Sequence, residues 1–161
     1  MIEMKVFGLA LDEDTQAPVL ILKDLEDKLT LPIWIGAMEA MAISLTLNDV
    51  KLPRPMTHDL LLSAIGLMGG TVKTVSVTHL SEGTFYAAVS VEQGDKTLQI
   101  DARPSDAVAL ALRAGASILV DPAVIASLAE GKPKPVIASD GDDKWTDILE
   151  SYNPGDNKYK M

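Results

Sequence analysis

The chain has 161 residues, of which 47% are hydrophobic and 23% are charged, the size and composition of a globular protein with its own apolar core. It contains no cysteine, which excludes disulfides and thiolate metal sites. Its formal net charge is −9, and no basic cluster occurs along the sequence, although proteins that neutralise nucleic-acid phosphates normally carry one. A nucleic-acid role would therefore need a basic patch assembled by folding, or bound metal ions.

The N-terminal segment does not have the basic start, long apolar run and small-residue cleavage site of a signal peptide. The longest apolar runs are interrupted by Glu39 and Arg113, well short of the roughly 18 residues that a transmembrane helix needs. We therefore expect a cytoplasmic protein that does not enter the membrane.

Three strands are predicted in the first third of the chain, at residues 2–11, 18–25 and 29–35, because these runs are rich in β-branched and apolar residues. Pro32 lies inside the third run and cannot donate to a sheet ladder, so it predicts an edge position or a bulge. Gly36 then precedes a predicted helix over 37–50. Its apolar residues at helical spacing are Met38, Met41, Ala42, Leu45 and Leu47.

A second helix is predicted over 57–68, with Thr57 as its N-cap, Asp59 at the positive end of the helix dipole and Gly69-Gly70 as the stop. Three strands joined by hairpin loops are predicted next. A third helix begins at Pro104 and ends at Gly115, and a short strand and a small helix through Leu128 follow. The predicted strands of this part are 71–79, 84–91, 96–102 and 117–120.

These elements predict an α/β fold of the α+β type, in which helices pack on a mixed, largely antiparallel sheet around a single core. The folded domain is expected over residues 1–130. Residues 131–161 contain the extended, charged run KPKP just after Gly131 and are expected to form a linker and a tail with one short amphipathic helix around Trp145.

Familiar catalytic motifs are missing from the sequence. No G-x-G-x-x-G fingerprint, Walker loop, G-x-S-x-G elbow or H-E-x-x-H pair occurs. The polar residues concentrate instead in two short motifs, RPMTHD at 54–59 and IDARPSD at 100–106. In each motif a proline fixes the backbone before a predicted helix start, which is a natural site for anions.

The two motifs suggest metal-assisted chemistry. Asp101 and Asp106 flank one helix start and could together hold Mg²⁺ or Mn²⁺, which prefer oxygen ligands. Such an ion could polarise a phosphodiester and activate water, with His58 as a general base. Arg54 and Arg103 have the forked donors that suit phosphate.

A purely structural interpretation explains the same residues. Asp59 and Asp106 are where capping or dipole-stabilising carboxylates belong, Asp101 and Arg103 can pair with each other, and His58 can be a partly buried hydrogen-bonding group. Glu39 lies on an otherwise apolar helix, so it is either solvent-exposed or paired with Arg54 or Arg113. The remaining large side chains are interpreted as core or subunit-interface residues: Trp34 and the methionines at 38, 41, 56 and 68.

Four segments in this order resemble the bifunctional nuclease family: LPIWIGAMEAMAI at 31–43, RPMTHDLL at 54–61, EGTFYA at 82–87 and IDARPSDAVALALR at 100–113. The resemblance covers roughly residues 1–130, with Glu82 where the family pattern has Asp. It implies a self-associating α/β domain, with a dimer favoured because twofold closure is commonest, and with nuclease activity on DNA and RNA.

Two functions follow as hypotheses. The first is a nuclease that hydrolyses phosphodiester bonds of DNA and RNA with Mg²⁺ or Mn²⁺ held by Asp101 and Asp106. The second is a non-catalytic, homo-oligomeric interaction or ligand-binding module. The candidate catalytic residues are Glu39, His58, Asp59, Asp101 and Asp106. The candidate phosphate-binding residues are Arg54, Arg103, Ser105 and Arg113.

Overall fold

The computed structural model describes residues 1–130, and these residues contain one seven-stranded sheet. The predicted linker and tail helix at 131–161 lie outside the described residues. The strands are β1 (Ile2–Leu11), β2 (Pro18–Asp24), β3 (Thr30–Trp34), β4 (Thr71–Ser81), β5 (Thr84–Gln93), β6 (Lys96–Ala102) and β7 (Ser117–Val120).

The sheet has the strand order β3-β2-β1-β7-β4-β5-β6. All neighbouring strands run antiparallel except β4 and β7, which pair in parallel. This confirms the predicted mixed, largely antiparallel sheet. Pro32 lies in β3, which pairs with β2 at one edge of the sheet, so the edge position predicted from the missing amide donor is also confirmed.

Four helices accompany the sheet: α1 (Ala37–Leu47), α2 (Thr57–Leu67), α3 (Pro104–Ala114) and α4 (Pro122–Glu130). Helix α3 begins with Pro104 at its first position, where a missing amide costs nothing. It ends at Gly115, whose φ of 64° is readily adopted only without a Cβ. No helix within residues 1–130 is long and apolar enough to cross a membrane.

One face of the sheet and the helices enclose the main core. Residues paired across neighbouring strands, such as Leu20 with Ile33 and Val75 with Val89, point to this face and are buried. Helix α3 is the central helix, since most of its residues from Pro104 to Ala111 are buried. A smaller apolar cluster, Ala10, Val19 and Ile21, is separate from the main core.

The apolar residues predicted to mark the buried side of α1 do so only in part. Ala42 and Leu45 are buried, but Met38 and Leu47 are exposed. Helix α1 is apolar almost all the way round, so its spacing does not identify the face that packs. Trp34 and Met68 are exposed as well, so of the two interpretations given for them, core or subunit interface, the structure contradicts the core.

Candidate functional site

The first turns of α1, α2 and α3 meet at one place, and each carries an acidic residue at its third position. These residues are Glu39, Asp59 and Asp106. Free amides and the helix dipole make the start of a helix favourable for a carboxylate. Three positive helix ends and three carboxylates therefore lie close together, a convergence that no single segment of the sequence reveals.

Four side chains form a continuous hydrogen-bonded chain across these helix starts. The Arg103 guanidinium donates from Nη1 to Glu39 Oε1 at 2.8 Å, from Nε to Asp106 Oδ2 at 2.7 Å and from Nη2 to Asp106 Oδ1 at 3.1 Å. Asp106 Oδ1 is also 3.0 Å from His58 Nε2. We call Glu39, Arg103, Asp106 and His58 the tetrad. The tetrad links residue 39 to residue 106. Glu39 is paired with an arginine, but its partner is Arg103 and not the predicted Arg54 or Arg113.

The tetrad runs from solvent into the protein. The Arg103 side chain is 66% exposed, whereas the side chain of His58 is 13% exposed. A guanidinium has five N–H donors, and the described part of the chain supplies acceptors for three of those in Arg103. Two donors thus remain for solvent or a ligand at the outer end.

A second ion pair lies beside the tetrad. Arg113 Nε donates to Asp59 Oδ1 at 2.7 Å, Nη1 donates to the Ala109 carbonyl oxygen and Nη2 donates to the Ala42 carbonyl oxygen. The Arg113 side chain is only 8% exposed. This arginine therefore joins α1, α2 and α3 from inside the protein, so its predicted phosphate-binding role has no support in this geometry.

The ion pairs keep both aspartates acidic. Burial alone would raise the pKa of Asp106, but hydrogen bonds from Arg103 and His58 outweigh it and hold that pKa below its ordinary value. Burial likewise opposes ionisation of Asp59, and the Met56 amide together with Arg113 lowers the pKa of its carboxyl. The two carboxyl groups are therefore ionised at neutral pH.

The capping prediction for α2 was displaced by one residue. The N-cap is Met56, and Thr57 is already the first helical residue. Asp59 supplies the capping hydrogen bond, accepting from the Met56 amide at 2.8 Å with Oδ2. The Asp59 carboxylate takes the capping role predicted for the Thr57 hydroxyl because it is charged and lies at the third helical position, from which it reaches back to the N-cap amide.

The remaining predicted residues do not join the tetrad. Arg54 is exposed in the connector before α2, and Asp101 is exposed in β6, opposite Ala88. The predicted pairing of Arg103 with Asp101 is wrong, since Arg103 pairs with Glu39 and Asp106. Among the described side chains, no group of three or more His, Cys, Asp or Glu is arranged to hold a metal ion.

The donor set at Asp106 does not fit a divalent cation in this arrangement. Both carboxylate oxygens already accept hydrogen bonds from Arg103, and one also contacts His58. A cation bound there would have to displace a guanidinium. The predicted Mg²⁺ or Mn²⁺ site at Asp101 and Asp106 stays a prediction.

A cavity of about 490 Å³ opens beside the outer end of the tetrad. Arg103, Glu39 and Ser105 line it together with the aromatic residues Trp34 and Phe85. The importance of Phe85 was missed by reasoning from the sequence, because no local pattern shows that the β4–β5 turn approaches β3 and the start of α3. Trp34 is held in place from another side, since its Nε1 donates to Asp12 Oδ2 at 3.0 Å.

The chain is thus an α+β domain whose polar network joins three converging helix starts. The sequence profile of the bifunctional nuclease domain matches residues 20–131, and the chain belongs to that family. An uncharacterized protein of Mycobacterium tuberculosis is 38% identical over 163 residues, covering 97% of this chain and 98% of that protein.

Two plant proteins are more distant relatives. Bifunctional nuclease 1 of Oryza sativa subsp. japonica is 27% identical over 108 residues, which is 65% of this chain and 32% of the plant protein. Bifunctional nuclease 2 of Arabidopsis thaliana is 30% identical over 96 residues, covering 58% of this chain and 29% of that protein. The chain thus spans about a third of the plant proteins.

Proposed function

We propose that this protein is a nuclease that hydrolyses phosphodiester bonds of DNA and RNA at the tetrad. The observation that carries the proposal is the hydrogen-bonded chain from exposed Arg103 through Asp106 to His58, in a chain that belongs to the bifunctional nuclease domain family. A histidine held by a carboxylate and a nearby arginine with free donors are the parts that general-base hydrolysis of a phosphodiester needs.

The roles follow from the hydrogen bonds. Because Asp106 is ionised, its contact with His58 Nε2 requires a proton on that nitrogen. In the neutral ring with its proton on Nε2, the free lone pair lies on Nδ1, which would accept a proton from water. The water oxygen would form the new bond to phosphorus as the bond to the sugar oxygen breaks, and that oxygen would leave with the bonding electron pair and take a proton from solvent. The two remaining donors of Arg103 would bind a phosphate oxygen, while Glu39 orients the guanidinium.

Two observations favour the non-catalytic alternative. Arg103 and Arg113 are each paired with carboxylates, and the chain carries a net charge of −9. In this alternative the ion pairs only fasten three helix starts together, and the protein is an interaction or ligand-binding module.

The experiment is a cleavage assay on single- and double-stranded DNA and on RNA, with and without a chelator. His58→Gln is compared with His79→Gln, because His79 is the chain's second histidine and is exposed on β4. The proposal expects loss of cleavage, by about 100-fold or more, in His58→Gln alone. Equal cleavage by both variants would contradict the tetrad as the site and point to a contaminating nuclease or a different site, whereas no cleavage by the wild type would leave the non-catalytic module.

The same assay separates the two versions of the chemistry. Asp106→Asn removes the partner of His58, whereas Asp101→Asn changes an exposed carboxylate in β6. Loss of cleavage in Asp106→Asn alone supports the tetrad as the catalytic site. Equal loss in both variants, with inhibition by the chelator, supports the predicted Mg²⁺ or Mn²⁺ site.

We also propose that the chain forms a homodimer through an apolar surface on α2 and the edge strand β6. Leu67 is 90% exposed, and the residues of this surface are Leu60, Leu61, Leu67, Met68, Leu98 and Ile100. Exposed apolar patches and free sheet edges are typical of protein–protein contacts. Light scattering coupled to size-exclusion chromatography should show a dimer in the wild type and a monomer in Leu67→Glu. The control is Leu25→Glu, an exposed position in the β2–β3 turn, which should remain a dimer.

A further inference from the structure

We propose that the cavity beside the tetrad binds one unpaired nucleobase of a single-stranded nucleic acid. We call it the base pocket; it lies between β3, the β4–β5 turn and the first turns of α1 and α3. The inference rests on the proposed nuclease function, and it adds which form of nucleic acid the site accepts.

The buried hydroxyl of Ser105 is the first reason for a ligand. Ser105 is 6% exposed, it lines the base pocket, and its side chain has no hydrogen-bond partner among the described residues. Buried polar groups normally have a partner, because their removal from water is otherwise uncompensated. A ligand with polar atoms in the pocket would provide one.

The charge of the pocket selects a neutral ligand. Glu39 and Arg103 line it as an ion pair, with a 2.8 Å contact between Arg103 Nη1 and Glu39 Oε1. Their charges cancel, so a phosphate anion would gain little by entering the pocket beside the carboxylate. With the remaining Arg103 donors directed to a phosphate outside the pocket, glutamate offers acceptors and serine offers both a donor and an acceptor. The edges of nucleobases carry the same mixture of donors and acceptors.

The lining and volume of the pocket suit a flat aromatic ring. Phe85 and Trp34 line it, and aromatic side chains stack on bases of any sequence. A volume of about 490 Å³ is within the usual range of roughly 300–1,000 Å³ for small-ligand sites. A base inside a duplex is covered by its neighbours and cannot enter such a pocket unless it leaves the stack. The substrate is therefore a single strand, with its phosphates outside the pocket near Arg103.

The test measures binding of the full chain by fluorescence anisotropy. The probe is a phosphorothioate single strand of about 8 nucleotides, a usual length for single-strand sites. It is compared with the same strand in a duplex and with an abasic strand of equal length, which keeps the phosphates and lacks the bases. We expect the single strand to bind at least about fivefold more tightly than the duplex or the abasic strand.

Three variants locate the binding. Ser105→Ala removes the hydroxyl and should weaken single-strand binding about two- to tenfold. Phe85→Leu keeps an apolar side chain but loses the ring, and should weaken it at least about fivefold. Tyr86→Leu is the matched control: it is the next residue of β5, its side chain is on the other face, and its ring stacks on His79 at 4.2 Å. Circular dichroism checks that each variant is folded. If Phe85→Leu is unfolded, the effect of Ser105→Ala on single-strand binding alone tests the base pocket.

The outcomes separate the base pocket from the nuclease. Equal binding of the abasic and normal strands, or weakening by Tyr86→Leu as large as by Ser105→Ala, overturns the base pocket even if the protein cleaves nucleic acid. Base-dependent binding that Ser105→Ala weakens, in a protein that cleaves nothing, supports the base pocket and overturns the nuclease. Base-dependent binding that persists in His58→Gln while cleavage is lost supports both.

Discussion

Replacing Arg113 with methionine removes the side chain that joins α1, α2 and α3. The substitution keeps a long apolar stem but loses the hydrogen bonds to Asp59 Oδ1 and to the carbonyl oxygens of Ala42 and Ala109. Because Arg113 is only 8% exposed, water cannot easily replace the guanidinium. The carboxylate of Asp59 is left with the Met56 amide as its remaining charge-stabilising donor.

The size of the effect follows from these contacts. Breaking a buried ion pair by removing one partner costs about 3–5 kcal/mol. The Asp59 side chain is 41% exposed, so water recovers part of this, and we expect the free energy of unfolding to fall by about 2–3 kcal/mol. With a urea m-value of about 1.5–2 kcal/mol/M, the midpoint should fall by about 1–2 M.

Urea unfolding followed by far-UV circular dichroism measures this change. Lys28→Met is the control, because Lys28 and Glu26 form an exposed ion pair, and its effect should stay within about 0.5 kcal/mol. Adding Asp59→Asn to Arg113→Met should cost less than the two single changes together, since both remove the same interaction. A loss below about 0.5 kcal/mol in Arg113→Met, or strict additivity, would refute the assigned role of this arginine.

Three further predictions follow from the site and the helix ends. The folded pKa of Asp106 lies below its ordinary value of 3.8, so the unfolded chain binds more protons between these two values. The stabilising contribution of Asp106 is complete above about pH 4 and is lost as the pH falls through the folded pKa. The midpoint temperature of thermal unfolding should therefore fall less steeply between pH 5 and pH 2 in Asp106→Asn than in the wild type. Gly115→Ala should destabilise by about 1–2 kcal/mol because φ is 64°, whereas Gly66→Ala in α2, where an added Cβ meets nothing within 4 Å, should stabilise by about 0.4–1 kcal/mol in the same urea assay. Calorimetric titration with Mg²⁺ should give heat that Asp101→Asn removes if the predicted metal site exists; no heat in the wild type would contradict that site.

Much of the fold could be predicted because its signals are local. Pro104 and Gly115 mark the two ends of α3, and Pro32 marks an edge strand, since each restricts the backbone in a way that needs no tertiary context. The face that α1 buries could not be predicted, because its apolar residues surround the helix. Exposed Met38 and buried Ile43 belong to the same apolar run.

The candidate site shows the same division. The sequence alone predicted carboxylates at two helix starts, Asp59 after Pro55 and Asp106 after Pro104, and His58 and Arg103 were identified beside them. The hydrogen bond from Arg103 to Glu39, 64 residues away, and the burial of Arg113 inside the protein become evident only in the folded chain. Helix capping depends on neighbours within one turn, whereas an arginine's partner depends on which helix ends the sheet brings together, and that choice depends on packing across the whole core.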